Sequence, residues 1–421
     1  MNDMTFADAP LTEATAAAYV AAAGFRVGPV GRVGVELEYC VRDPRRPLHR
    51  PAGARILGLL AHLGDPLPGG SGVSVEPGGQ VELSSAVGAG LADCVAALAA
   101  DLALVRHELA AQGLVLDGTG FDTARRPRLV TDHPRYAALA EYHDRSGPKG
   151  LAVMCNSASI QVCLDAGTEE DDWTDFRRRW WLADAIGPVM MAAFANSPQV
   201  TRSGRRWVSY RQALRFGTDA SRTRAPRRTD DPRRAWARYA LAARVAMIAG
   251  TGPAPWHVPS GLTMRDWLRG HGPRPVTLDD LERHLGTLVP PVRPRGYLEL
   301  RMIDQQPGDG WVVPAAVVTA LLDDPEGAQA AADATEHLRA PLRRHRDWTT
   351  AARDGLADPA LATAALACFT AAEEVLRRRD APLPIRDAVA AFVDRYVLRG
   401  RCPADDVRRD SRRRLGVVST G

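Results

Sequence analysis

The clearest alternation in the chain is at Gly34-Val35-Glu36-Leu37-Glu38-Tyr39, where apolar positions take turns with carboxylates. Successive side chains of a strand point to opposite faces, so Val35, Leu37 and Tyr39 are expected to face a core while Glu36 and Glu38 share the other face. The stretch from Val73 to Ser84 repeats the pattern across Glu76-Pro77-Gly78-Gly79, a turn signal. Loop length decides what this hairpin presents. A three-residue loop sets Glu76 opposite Gln80 and on the face of Glu82, whereas a two-residue loop sends the two carboxylates to opposite faces. Further strands are predicted at Leu114 to Asp117, at Ser157 to Asp165 and at Tyr297 to Asp304. In the second of these Ser159, Gln161, Cys163 and Asp165 form a polar face, and in the third Glu299 and Arg301 share one.

Alanine- and leucine-rich stretches predict helices over 8–23, 54–63, 91–112, 173–195 and 235–248, and through most of 312–398. Residues 118–150 are rich in Gly, Pro, Arg and Asp and read as a long irregular segment that carries His133 and His143 and closes with Lys149. Prolines and glycines break 250–294. With no internal repeat and no Gly/Ser linker, the expectation is one elaborated α+β domain over 1–407. Its sheet-bearing core would span about 24–310 and its helical part about 312–400, with a basic tail at 408–421.

A chain of 421 residues buries a sizeable core, and a formal net charge of +4 makes no electrostatic case for nucleic acid. Lys149 is the one lysine among 54 basic residues, a bias that GC-rich coding explains without invoking anion binding. The six cysteines contain no Cys-x-x-Cys pair and no zinc-type spacing, so they read as reduced thiols. No apolar run approaches the roughly 20 residues that a membrane helix needs, and no secretory leader pattern opens the chain. A cytoplasmic protein with no membrane, nucleic-acid or obligate protein partner is expected.

Carboxylates crowded on one sheet face repel each other unless cations neutralise them. Hard divalent ions with oxygen ligands suit such a face, and magnesium in particular bridges a few carboxylates to substrate phosphates. The alternation therefore suggests a magnesium-nucleotide site without a Gly-rich phosphate loop.

The strings GVELEY, SVEPGGQVELSS, ASIQVCLDAG, FANSP, SYRQALRFGTD and YLELRMIDQQP, in this order, resemble the glutamate-cysteine ligases of the plant and actinobacterial type over about residues 24–400. The resemblance implies a glutamine-synthetase-like ligase fold, an antiparallel sheet forming a funnel with helices packed outside. It also implies phosphorylation of the γ-carboxylate of glutamate by ATP with Mg2+, then attack by the amine of cysteine to give γ-glutamylcysteine, in the branch that serves ergothioneine biosynthesis. Carried over by residue, Glu36, Glu38, Glu76, Glu82 and Glu299 are magnesium ligands, with Gln161 in a neighbouring metal- or phosphate-facing role. Arg301 steadies the transferred phosphate, Arg211 recognises a substrate carboxylate, and Asn156 or Ser157 lines the glutamate pocket. Lys149 and Arg222 are weaker phosphate-binding candidates. Phe216 and Ala220 stand where relatives often carry Trp and Pro, which alters one wall of that pocket. Two alternatives stay open: a related ligase that delivers the same acyl phosphate to another amine, and a catalytically silent anion-binding protein.

Overall fold

The computed structural model describes residues 11–407 apart from Ser146, 251–253 and 339–343, so the basic tail at 408–421 lies outside the described residues. Nine strands form in chain order: β1 (Val33–Arg42), β2 (Gly72–Val75), β3 (Gln80–Ser84), β4 (Val115–Asp117), β5 (Ser159–Asp165), β6 (Gln199–Val200), β7 (Arg206–Trp207), β8 (Val292–Pro294) and β9 (Tyr297–Asp304). Seven make one antiparallel sheet in the order β2-β3-β1-β5-β9-β8, with β4 paired to β1, while β6 and β7 form a separate ribbon.

The sheet is apolar on one face and polar on the other, as the alternation predicts. Val33, Val35, Leu37, Tyr39 and Val41 of β1, Ile160, Val162 and Leu164 of β5, and Leu298 and Leu300 of β9 are all buried. The helices Leu91–Ala111, Phe176–Ala193 and Val312–Leu322 pack on β1, β9 and β5 respectively. A fully buried side chain of this size contributes roughly 1.5–3 kcal/mol. The apolar back can therefore hold the sheet together against repulsion among the charges on its front.

One expectation needs correction. The segment 118–150 is not irregular throughout, because helices run from Pro134 to Asp144 and from Pro148 to Asn156. His133 caps the first, its Nδ1 accepting from the Arg135 amide at 3.1 Å, and Pro134 takes the first-turn position where no amide is needed. The helix Pro359–Arg378 has 20 residues, and its most apolar 18-residue window has a mean hydropathy of 1.3, enough by length and composition to cross a membrane, although Glu373 and Glu374 interrupt the apolar run. It packs as a core helix against 312–322, 325–334 and 176–193, burying Leu361, Cys368, Phe369 and Leu376.

No disulfide forms among the six cysteines. Five are buried and Cys163 is half-buried. Burial pushes the thiols of Cys40 and Cys368 up to about 12 and that of Cys155 to about 11.

Candidate active site

Strand register assembles the acidic face. Glu38 pairs with Glu82 across β1 and β3, and Glu36 lies between Ser84 of β3 and Gln161 of β5. At the hairpin, Val75 pairs with Val81, the Glu76 amide donates to the Gln80 carbonyl at 2.8 Å, and the Gly79 amide returns to the Glu76 carbonyl at 2.8 Å. The loop thus holds three residues, with Gly79 at φ +83°, a conformation glycine adopts at no steric cost. Glu76 and Glu82 consequently share the face. Arg50 bonds the turn to the end of the 148–156 helix: Nη1 donates to the carbonyls of Gly78 and Cys155, and Nη2 to Asn156 Oδ1 at 2.9 Å.

A register shift between β5 and β9 makes Arg301 and Met302 together oppose Gln161. Such bulges re-aim side chains. Arg301 donates to Gln161 Oε1, Gln161 Nε2 donates to Glu38 Oε1 at 3.0 Å, and the Ser159 amide donates to Glu38 Oε2 at 2.9 Å. The Arg301 Nε is buried without a partner.

These residues line a cavity of about 370 Å³. Glu36, Glu38, Glu76 and Glu82 occupy its sheet side. Arg135, Tyr136, Tyr142 and His143 of the Pro134–Asp144 helix line another side, and Arg211, Arg215, Asp219 and Arg222 of the 210–223 segment a third. Burial and the neighbouring carboxylates, Glu38 foremost, push Glu76 up to about 7 and Glu82 up to about 8. Burial followed by Glu299 also raises Glu36. Glu299 differs. Burial works against its charge, yet Arg301 at 2.8 Å and Arg293 at 2.6 Å overcome that and hold it at about 2. Its carboxylate, the Glu36 carboxylate and Cys163 Sγ bring their ligand atoms within 4.8 Å of one another.

The other expected site residues divide. Ser157 lines the cavity, its hydroxyl donating to the Val153 carbonyl at 2.6 Å. Asn156 does not line it, because its side-chain amide is consumed by the carbonyls of Asp122 and Arg125, each at 2.7 Å. Arg211 lines it and is paired with Asp304, Nε to Oδ1 at 2.7 Å. Arg222 lines it over the Tyr142 ring, 5.4 Å from the centroid. Lys149 is exposed, and its side chain runs past Gly217 without lining the cavity. Sequence reasoning missed Arg215, Arg293, Arg135 and Tyr136. Arg293 carried a signal, since it lies directly opposite Glu299 in the register of β8 and β9.

The chain is 40% identical over 398 residues to the glutamate-cysteine ligase EgtA of Mycolicibacterium smegmatis, covering 93% of this chain and 90% of that protein. It is also 40% identical over 409 residues to EgtA of Mycobacterium tuberculosis, covering 95% and 90%. The chloroplastic glutamate-cysteine ligase of Arabidopsis thaliana is 30% identical over 315 residues, which is 72% of this chain and 56% of that one. A crystal structure of glutamate-cysteine ligase from Francisella tularensis, in complex with AMP, superposes with a TM-score of 0.53 at 13% identity over 92% of this chain and 86% of that chain, and so shares the fold. Residues 32–419 match glutamate-cysteine ligase family 2 (GCS2), and the chain belongs to that family.

Proposed function

We propose that this protein joins the γ-carboxylate of L-glutamate to the amine of L-cysteine with ATP as co-substrate, by way of γ-glutamyl phosphate. The product is γ-glutamylcysteine, destined for ergothioneine biosynthesis, and the reaction belongs to the cytoplasm. One observation carries the chemistry: a single cavity sets four carboxylates of a sheet against a wall of arginines.

A carboxylate is a poor acyl donor and its oxyanion a poor leaving group, so the γ-carboxylate must first become an acyl phosphate. The donor set fits magnesium. Glu36, Glu38, Glu76, Glu82 and Gln161 offer only oxygen, and the crowding that lifts Glu76 and Glu82 is what a divalent cation relieves. These residues would hold Mg2+, with Glu299 beside Glu36 completing the set on the family pattern, and the metal would neutralise polyphosphate and screen it from glutamate. Arg301, held by Glu299 and Gln161, would meet the transferred phosphate, whose oxygens its planar fork matches. The helix 134–144 and the 210–223 segment complete the cavity around the reacting groups and limit access of water to the acyl phosphate.

The test is phosphate release by purified protein with magnesium-ATP and glutamate, comparing cysteine, other amino acids and no amine, with the product identified by mass. γ-Glutamylcysteine formed selectively supports the reading. Turnover with a different amine transfers the protein to another pathway, and no turnover with any pair overturns the ligase assignment.

A further inference from the structure

The helix Pro134–Asp144 turns one face to the cavity. Arg135, Tyr136, Leu139, Tyr142 and His143 line it, and steps of one, four, seven and eight residues from Arg135 form a single helical stripe. Among the described residues His143 is the one histidine on the cavity lining. Where the next helix crosses it, a Cβ built on Gly150 would lie 2.5 Å from the His143 Cβ, so a glycine there lets that helix press on the stem of the side chain. The charged groups that act on the ring are Arg222 and Asp219. Among the described residues the ring makes no hydrogen bond. Two other histidines differ in this respect, since His133 Nδ1 accepts from the Arg135 amide and His284 Nε2 meets the Ala240 carbonyl at 2.8 Å.

Forming an amide from an amine releases a proton, because the nitrogen that adds to the γ-carbonyl carbon becomes cationic and must shed one. The cavity lining holds few groups able to take it. Glu36, Glu38, Glu76 and Glu82 are committed to magnesium on the proposed reading, and arginines only donate. Asp219 already accepts from the Tyr142 hydroxyl, from the Ser221 amide at 2.9 Å and from Arg244 at 3.4 Å. A neutral imidazole with an unengaged nitrogen is the remaining acceptor. Burial and then Arg222 lower the proton affinity of His143 to about 4, against the pull of Asp219, so the ring is neutral near pH 7. Such a weak base does not strip a free alkylammonium. The nitrogen turns far more acidic once it is bonded to the carbonyl carbon, and at that stage a weak base suffices.

We propose that His143 is the general base of the amide-forming step, accepting the proton of the attacking amine. The nitrogen lone pair forms the C–N bond to the γ-carbonyl carbon. The C–O bond to phosphate breaks and its electron pair leaves with phosphate. The proton passes from nitrogen to the imidazole, which returns it to solvent. The proposal rests on the ligase reading and adds a residue to the second half of that reaction.

Wild type, His143→Gln and His143→Ala are assayed with magnesium-ATP and glutamate, with either cysteine or hydroxylamine as the acceptor, and γ-glutamylcysteine and γ-glutamylhydroxamate are measured. Hydroxylamine is unprotonated at neutral pH and needs a base far less, yet it consumes the same acyl phosphate. In both variants the kcat with cysteine is expected to fall by about 100-fold or more, and the ratio of hydroxamate to γ-glutamylcysteine to rise by about 20-fold or more. Imidazole added to His143→Ala is expected to restore turnover with cysteine by at least about fivefold. An unchanged product ratio overturns the proposal. Loss of both products in both variants, without rescue by imidazole, also overturns it and makes His143 a structural residue. Wild type that forms neither product overturns the ligase reading and the proposal with it, whereas wild type that forms both, with the ratio unchanged in the variants, overturns the proposal alone.

Discussion

Glu82 carries the highest proton affinity of the acidic set, about 8, because burial and then Glu38, Glu76 and Glu36 oppose its charge. Its nearest hydrogen-bond partner is the Ser74 hydroxyl at 3.2 Å, a weak compensation for a buried carboxylate. Glu82→Gln is therefore expected to remove repulsion together with, on the proposed reading, a metal ligand. Magnesium-dependent phosphate release should fall by roughly 100-fold or more, while the metal-free variant melts no lower than wild type at pH 8. Normal turnover would take Glu82 out of the site, and a lowered melting temperature would make it a structural residue. Alternation made Glu36, Glu38, Glu82 and Glu299 legible, because a two-residue period needs no long-range information. It could not show that Glu299 arrives already clamped by Arg293, nor that Arg211 arrives already paired with Asp304. The first pairing depends on the register of the short hairpin between β8 and β9, and the second on where distant segments meet.

The hairpin between β2 and β3 shows the same limit for elements. Sequence left two loop lengths open, and the acidic face required the three-residue one that forms. Its placement depends on Gly78, where a Cβ would run into the backbone of Cys155 at the end of the neighbouring helix. Gly78→Ala should push the turn and Glu76 away from the cavity, lowering the metal-dependent rate by more than about tenfold with a modest loss of thermal stability. Unchanged kinetics would mean that the turn tolerates displacement. Helix 134–144 escaped notice because it buries only Ala138 and Tyr142, too few positions for a 3.6-residue period to emerge. The shift between β5 and β9 escaped too, since nothing in Tyr297 to Asp304 announces an extra residue.

At the scale of the molecule, the sheet stores its stability on the back and its chemistry on the front, so solution conditions should act on the two unequally. Glu76 and Glu82 hold protons up to about pH 7 and 8 when folded, against an ordinary value of 4.5. Between those limits the folded protein binds more protons than the unfolded chain, so metal-free stability should decline as pH rises from about 5 to about 8. On the proposed reading magnesium competes with those protons, and its stabilising effect should grow over the same range. Thermal melts in chelator and in magnesium at pH 5.5 and 8 test this, and a pH-independent difference would refute it. The burial of the thiols has a different implication. An enzyme that handles free cysteine meets cystine as well, and exchange with it requires an accessible thiolate. With Cys40, Cys155 and Cys368 enclosed and held far from ionisation, and Cys163 raised well above the usual thiol range by burial and by Glu299 and Glu36, these four thiols are poor partners for exchange with the substrate pool.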